Sequence, residues 1–195
     1  HTPTDTIPLA SGMASTKTDV SSPPLDSRAE CPPDYCFDID DSHWLSHLRE
    51  RGYVVVTNVL SANDVETTKN LIWEDLRGGH GVSREDTSPW SESKWTPPLH
   101  GIVPSLAQTA GPWHVRGNEN VRRAFAAIWD TSDLITSMDA VILWRSDFPH
   151  DTEGLHLDQN PFTKPGLDCV QGMVPLLPVT AEVGGLEVVP CSHTD

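Results

Sequence analysis

The sequence predicts a mainly β domain with flanking α-helices, and three observations carry that expectation. Short apolar runs at 53–56, 139–145 and 169–177 have the length of strands rather than helices. Helical periodicity appears instead at 42–50, at 62–77 and in a stretch opening at Asn118 or Asn120. Turn formers separate these runs, among them Gly52, Gly78-Gly79, Asn160-Pro161 and Gly184-Gly185.

A chain of 195 residues suits one domain plus a tail. Residues 1–38 are rich in Ser, Thr, Pro and Asp and show no hydrophobic period. Such a stretch buries too little apolar area to offset its ordering entropy, so a disordered tail is expected there, with the domain at 39–195. The net charge is −15, from 28 acidic and 13 basic residues, and that balance disfavours nucleic acid as a partner. No apolar run is long enough to span a membrane and no signal peptide opens the sequence, so a cytoplasmic protein is expected. Cys31, Cys36, Cys169 and Cys191 are too scattered for a disulfide framework, and Cys31 with Cys36 lacks two further zinc ligands nearby.

Asp41-Ser42 is a plausible N-cap for the first helix, whose apolar stripe is Trp44, Leu45 and Leu48. His43 and His47 stand four apart on it and flank that stripe, which favours solvated side chains over a metal pair. Residues 53–56 are β-branched and uninterrupted, hence a buried strand. Ser61-Ala62-Asn63-Asp64 is a capping-box signal for the second helix, which carries Val65, Leu71, Ile72 and Leu76 and is expected to stop at Gly78-Gly79. From His80 to Trp113 periodicity is lost among many Trp and Pro residues. A long stretch of that kind is either a binding loop or a Trp-rich clamp for packing. Val121, Phe125, Ile128 and Trp129 form the third helix's stripe, with Arg122 and Arg123 off it, and a short helical turn is expected from Thr131.

The chemistry concentrates in Gly154-Leu155-His156-Leu157-Asp158-Gln159-Asn160-Pro161. On a strand, His156 and Asp158 share one face and Leu157 points into the apolar interior. Imidazole and carboxylate are the donors of the 2-His-1-carboxylate site, which keeps positions open on non-haem Fe(II). A strand end with an ordinary His and a turn-forming Asp-Gln-Asn-Pro run is the competing reading.

With the apolar runs on either side and the later Gly184-Gly185-Leu186-Glu187-Val188-Val189-Pro190-Cys191-Ser192-His193, this pattern resembles the phytanoyl-CoA dioxygenase family of Fe(II)- and 2-oxoglutarate-dependent oxygenases. The resemblance covers roughly residues 41–195 and departs from the family's turn at Cys191, where the family has Gly. It implies a double-stranded β-helix, a jelly-roll or cupin-like barrel that is incomplete at its C-terminus within this sequence. It also implies Fe(II) on His156 and Asp158, with 2-oxoglutarate and dioxygen in the open positions. Decarboxylation of the co-substrate then drives hydroxylation of a small organic substrate. Gln171 and Met173 are expected beside the 2-oxoglutarate, Met173 standing where the family often has an aromatic. Gln159 and Asn160 are expected to orient the two ligands. Trp90, Trp95 and His100 are nominated to face the substrate.

Ser192 and His193 match the family's structural turn, and His193 comes too soon after Asp158 for the family's second His ligand. A Ser192-His193-Asp195 triad is disfavoured because adjacent residues rarely converge in that geometry. The distal His and the basic clamp for 2-oxoglutarate are thus expected outside these 195 residues, leaving this stretch alone a weak Fe(II) binder with poor turnover. A non-catalytic barrel that binds or scaffolds small molecules is the alternative. Asp158 speaks against halogenation, in which the carboxylate gives way to halide. No basic cluster suggests a coenzyme A diphosphate, which leans the substrate toward a hydrophobic or amphipathic metabolite.

Overall fold

The computed structural model describes residues 34–86, 99–137, 140–144, 154–180 and 185–194, all within a unit that begins at Cys31. Strand β1 (Cys36–Asp38) pairs in parallel with β2 (Val55–Thr57), Cys36 facing Val55 and Asp38 facing Thr57. β1 lies within the span read from sequence as tail. Parallel neighbours need a crossover, and helix α1 (His43–Arg51) supplies it. Its cap is the Asp41 carboxylate, which accepts the His43 N–H at 2.8 Å, while Ser42 makes no side-chain cap bond. Trp44 is the buried anchor of α1, and Gly52 ends the helix with φ of 82°.

Helix α2 (Ala62–His80) starts as the sequence requires. Ser61 Oγ accepts the Asp64 N–H at 3.1 Å, and Asp64 Oδ2 accepts the Ser61 N–H at 3.0 Å. The helix runs through Gly78-Gly79 and stops at Gly81, φ 64°. The stop lies there because Val82 folds back onto Leu76 and is fully buried, an apolar contact common just past a left-handed cap.

After α2 the chain makes a short strand, β3 (Ile102–Val103), antiparallel to β4 (Val141–Ile142). Between them lie helix α3 (Ala110–Arg116) and helix α4 (Glu119–Trp129). Helix α3 falls where periodicity is lost, and Pro112 disguises it. Pro112 sits in the first turn, where a missing N–H breaks no helical bond. Gly111 lets α3 close on α2, since a Cβ there would come within 2.5 Å of Ile72 Cγ1. Ile72, Leu76, Val82, Val103 and Leu106 form the core, with Trp73, Val141, Leu143 and Leu176 against it. Helix α4 is capped by Asn118 and tied to the loop before α2 by Asn120, whose amide donates to Val59 O at 3.1 Å. Arg123, expected in solvent, pairs with Asp40 at 2.7 Å.

The mainly β expectation is overturned. Of the described residues 41% are helical and 8% are in strands, which make two two-stranded sheets and no closed barrel. The apolar runs 53–56 and 139–145 do contain β2 and β4, but only two or three residues of each pair. Residues 169–177 join no ladder, and an apolar run becomes a strand only where a partner satisfies its backbone. The helical turn expected from Thr131 is replaced by a hydroxyl turn in which Thr131 Oγ1 accepts the Asp133 N–H at 3.1 Å. Among the described residues no helix is long and apolar enough to cross a membrane.

The 191–194 turn docks on the C-terminal end of α1. Cys191 N–H donates to Arg51 O at 2.8 Å, and His193 Nε2 donates to Arg49 O at 2.9 Å. These carbonyls belong to the last helical turn, which has no partner within the helix. The His193 ring fits because Gly52 has no Cβ; one built there would lie 2.5 Å from His193 Nδ1. Cys191 adopts φ of 67°, the left-handed region that favours glycine.

Three outcomes follow for stability. Gly111→Ala should lower unfolding stability by about 1–3 kcal/mol in urea titrations, because the methyl forces α3 off Ile72. Cys191→Gly should match or exceed the parent, and Cys191→Val should fall below it by about 1–2 kcal/mol, the cost of a left-handed non-Gly residue. The Ser61 hydrogen bonds hold the Asp64 carboxyl below its ordinary range, helped less by His114. A lowered carboxyl contributes stability that is complete above its ordinary range and fades as pH falls through the lowered value. Acid unfolding of Asp64→Asn should accordingly be less steep in pH than that of the parent, with Ser61→Ala costing about 1 kcal/mol near neutrality.

Candidate metal centre

The segment from Gly154 to Asp168 is an exposed loop rather than a strand. Leu155 and Leu157, expected to face an apolar interior, are 62% and 66% exposed. His156 and Asp158 nevertheless converge, with His156 Nε2 at 3.3 Å from Asp158 Oδ1. Loop hydrogen bonds, not strand alternation, bring them together.

His156 Nδ1 lies 2.9 Å from Gly154 O. A carbonyl oxygen only accepts, so Nδ1 carries the proton of that contact and a neutral ring presents its lone pair at Nε2. That lone pair then faces a carboxylate oxygen. Two acceptors at this distance repel unless a proton or a cation lies between them. Ligands bound about 2.1 Å from a metal and about 90° apart lie about 3 Å from each other, close to the separation seen. The Gly154 carbonyl behind the imidazole is the partner that commonly orients a metal-binding His.

Asp158 Oδ2 accepts a hydrogen bond from Gln171 Nε2. Gln171, assigned from the resemblance to the co-substrate, therefore contacts the carboxylate. Its backbone is held because Gly172 lies against α4, where a Cβ would stand 3.1 Å from Phe125 Cζ. Met173 follows two residues on and is 49% exposed.

Gln159 and Asn160 shape the loop itself. Gln159 Nε2 donates to Lys164 O at 2.6 Å and also to Gly166 O, and its Oε1 accepts the Asp168 N–H at 3.0 Å. Asn160 Oδ1 accepts the N–H groups of Phe162 and Thr163 at 3.0 and 3.3 Å. Their hydrogen bonds fold the chain that carries Asp158 back toward 164–168, so any effect on the ligands is exerted through the backbone.

His100 adopts φ of 53° in the turn before β3, beside Gly101 and the Trp144 ring. Trp90, Trp95, Arg145, His150 and Asp195 lie outside the described residues. His193 belongs to the α1 contact described above. His156 and Asp158 offer one nitrogen and one oxygen to a metal, and among the described residues no group of three or more His, Cys, Asp or Glu side chains is placed to hold an ion. The two donors thus fit two adjacent positions of a coordination sphere. Two contributions to the site escaped the sequence reading, the Gly154 carbonyl and the Gln171–Asp158 bond. The glycine two residues before His156 was a visible signal for the first; nothing local announces the second.

No family model matches the chain. Among curated proteins the chain is 27% identical, over 184 residues, to "Ava biosynthesis cluster protein O" from Aspergillus versicolor. The alignment takes in 89% of this chain, and the chain spans about 58% of that relative's length. No solved structure matches.

Proposed function

We propose that this protein is an Fe(II)- and 2-oxoglutarate-dependent oxygenase acting on a small organic substrate. The observation that supports the reading most is the His156 Nε2 lone pair aimed at Asp158 Oδ1 across 3.3 Å, with each side chain hydrogen-bonded from behind. Fe(II), when bound, supplies open positions for 2-oxoglutarate and dioxygen and the oxidising power for hydroxylation. The chain's own groups hold and orient it: Gly154 O keeps the proton on Nδ1, and Gln171 fixes the carboxylate. Met173 and the 2-oxoglutarate site stay part of the proposal. A relative named for a biosynthesis cluster supports a small metabolite as substrate. The acidic balance, a net −15, agrees with a partner other than nucleic acid.

A second reading is a small-molecule binding protein without turnover. The direct contact of His156 with Asp158 favours it, since a protonated imidazole satisfies that contact without metal.

Anaerobic Mn(II) or Fe(II) calorimetry on the full-length protein separates the two. Metal binding that tightens with 2-oxoglutarate and weakens by about 100-fold or more in Asp158→Ala is the expected result. Full-length protein that binds no metal with or without 2-oxoglutarate would overturn the oxygenase reading and leave the binding protein.

A further inference from the structure

We propose that Gln171 is a positioning residue that makes Asp158 a one-oxygen ligand. The inference rests on the metal reading above and adds to it the control of denticity. A carboxylate binds a cation through one oxygen or through both. Here the two oxygens have different partners: Oδ1 faces His156 Nε2 at 3.3 Å, and Oδ2 accepts from the Gln171 amide. The direction of that bond is fixed by chemistry, because a carboxylate has no proton to give and only the amide nitrogen donates.

The donor is the better-anchored partner. Asp158 sits in an exposed loop, with 51% of its side chain accessible. Gln171 precedes Gly172, whose missing Cβ lets the backbone lie on Phe125 of α4, and the same segment reaches the core at Leu176. The bond therefore transfers the position of α4 to the carboxylate thirteen residues earlier in the chain. With Oδ2 occupied, the second oxygen cannot swing onto the ion. A coordination position that a chelating carboxylate would take stays available to co-substrate.

The test is anaerobic Mn(II) binding by full-length parent, Gln171→Leu and Asp158→Ala, followed by calorimetry and by water-proton relaxation, which counts exchangeable waters on the ion. In Gln171→Leu the Mn(II) Kd should rise about 10-fold, and the bound-water count should drop by one as Oδ2 joins Oδ1. The metal-free unfolding midpoint should not move, because the Gln171 side chain is exposed. Parent-like affinity and water count in Gln171→Leu, with binding lost in Asp158→Ala, would overturn this inference while leaving the metal reading standing. A fall in the metal-free midpoint that accounts for the weaker binding would assign Gln171 to fold support and overturn it too. Absence of Mn(II) binding by the parent would sink both.

Discussion

Helix α2 buries Ile72 and Leu76 only because α3 approaches it at a residue without a side chain, Gly111. That approach brings Leu106 and Val103 into the same core, and Val82 closes it from the C-terminal end of α2. The helix has no spare polar group on that face. Thr68 is fully buried, and its hydroxyl is satisfied by Asp64 O at 2.7 Å. Apolar contact at close range dominates the described packing, and the short strands β3 and β4 attach to it through Val103 and Val141.

The remaining described segments are held by hydrogen bonds to the ends of elements. The 191–194 turn uses carbonyls of the last turn of α1, and Asn120 uses the loop between β2 and α2. Helix ends offer such groups because their last carbonyls and first N–H groups lack partners along the axis. The left-handed Cys191 is explained by this contact. Turning the chain so that both the Cys191 N–H and His193 Nε2 reach α1 requires positive φ at that residue.

The candidate centre combines an exposed loop with an anchored neighbour. Within the loop, Gln159 and Asn160 satisfy backbone groups at 162–168, leaving His156 and Asp158 side by side. Electrostatics then makes the pair chemically unfinished. A ring that donates through Nδ1 and a carboxylate already bonded through Oδ2 present two lone pairs to the same small space. A cation or a proton completes it, and the choice between them separates an oxygenase from a binding protein.

Sequence by itself determined the local features whose causes lie within a few residues. Ser61 with Asp64 specified the start of α2, Gly52 the end of α1, and Asn118 the start of α4. His156 and Asp158, one residue apart, were legible as a donor pair for the same reason. Features that depend on a distant partner were decided by the tertiary structure. Apolar character at 169–177 suits a strand, but the hydrogen bonds that make a strand come from another segment, and here that stretch forms no ladder. Helix α3 was hidden because its stability comes from Ile72 across the Gly111 gap rather than from its own seven residues. Gln171 reached Asp158 for a like reason: its place is set by α4 under Gly172, a contact that no spacing along the chain encodes.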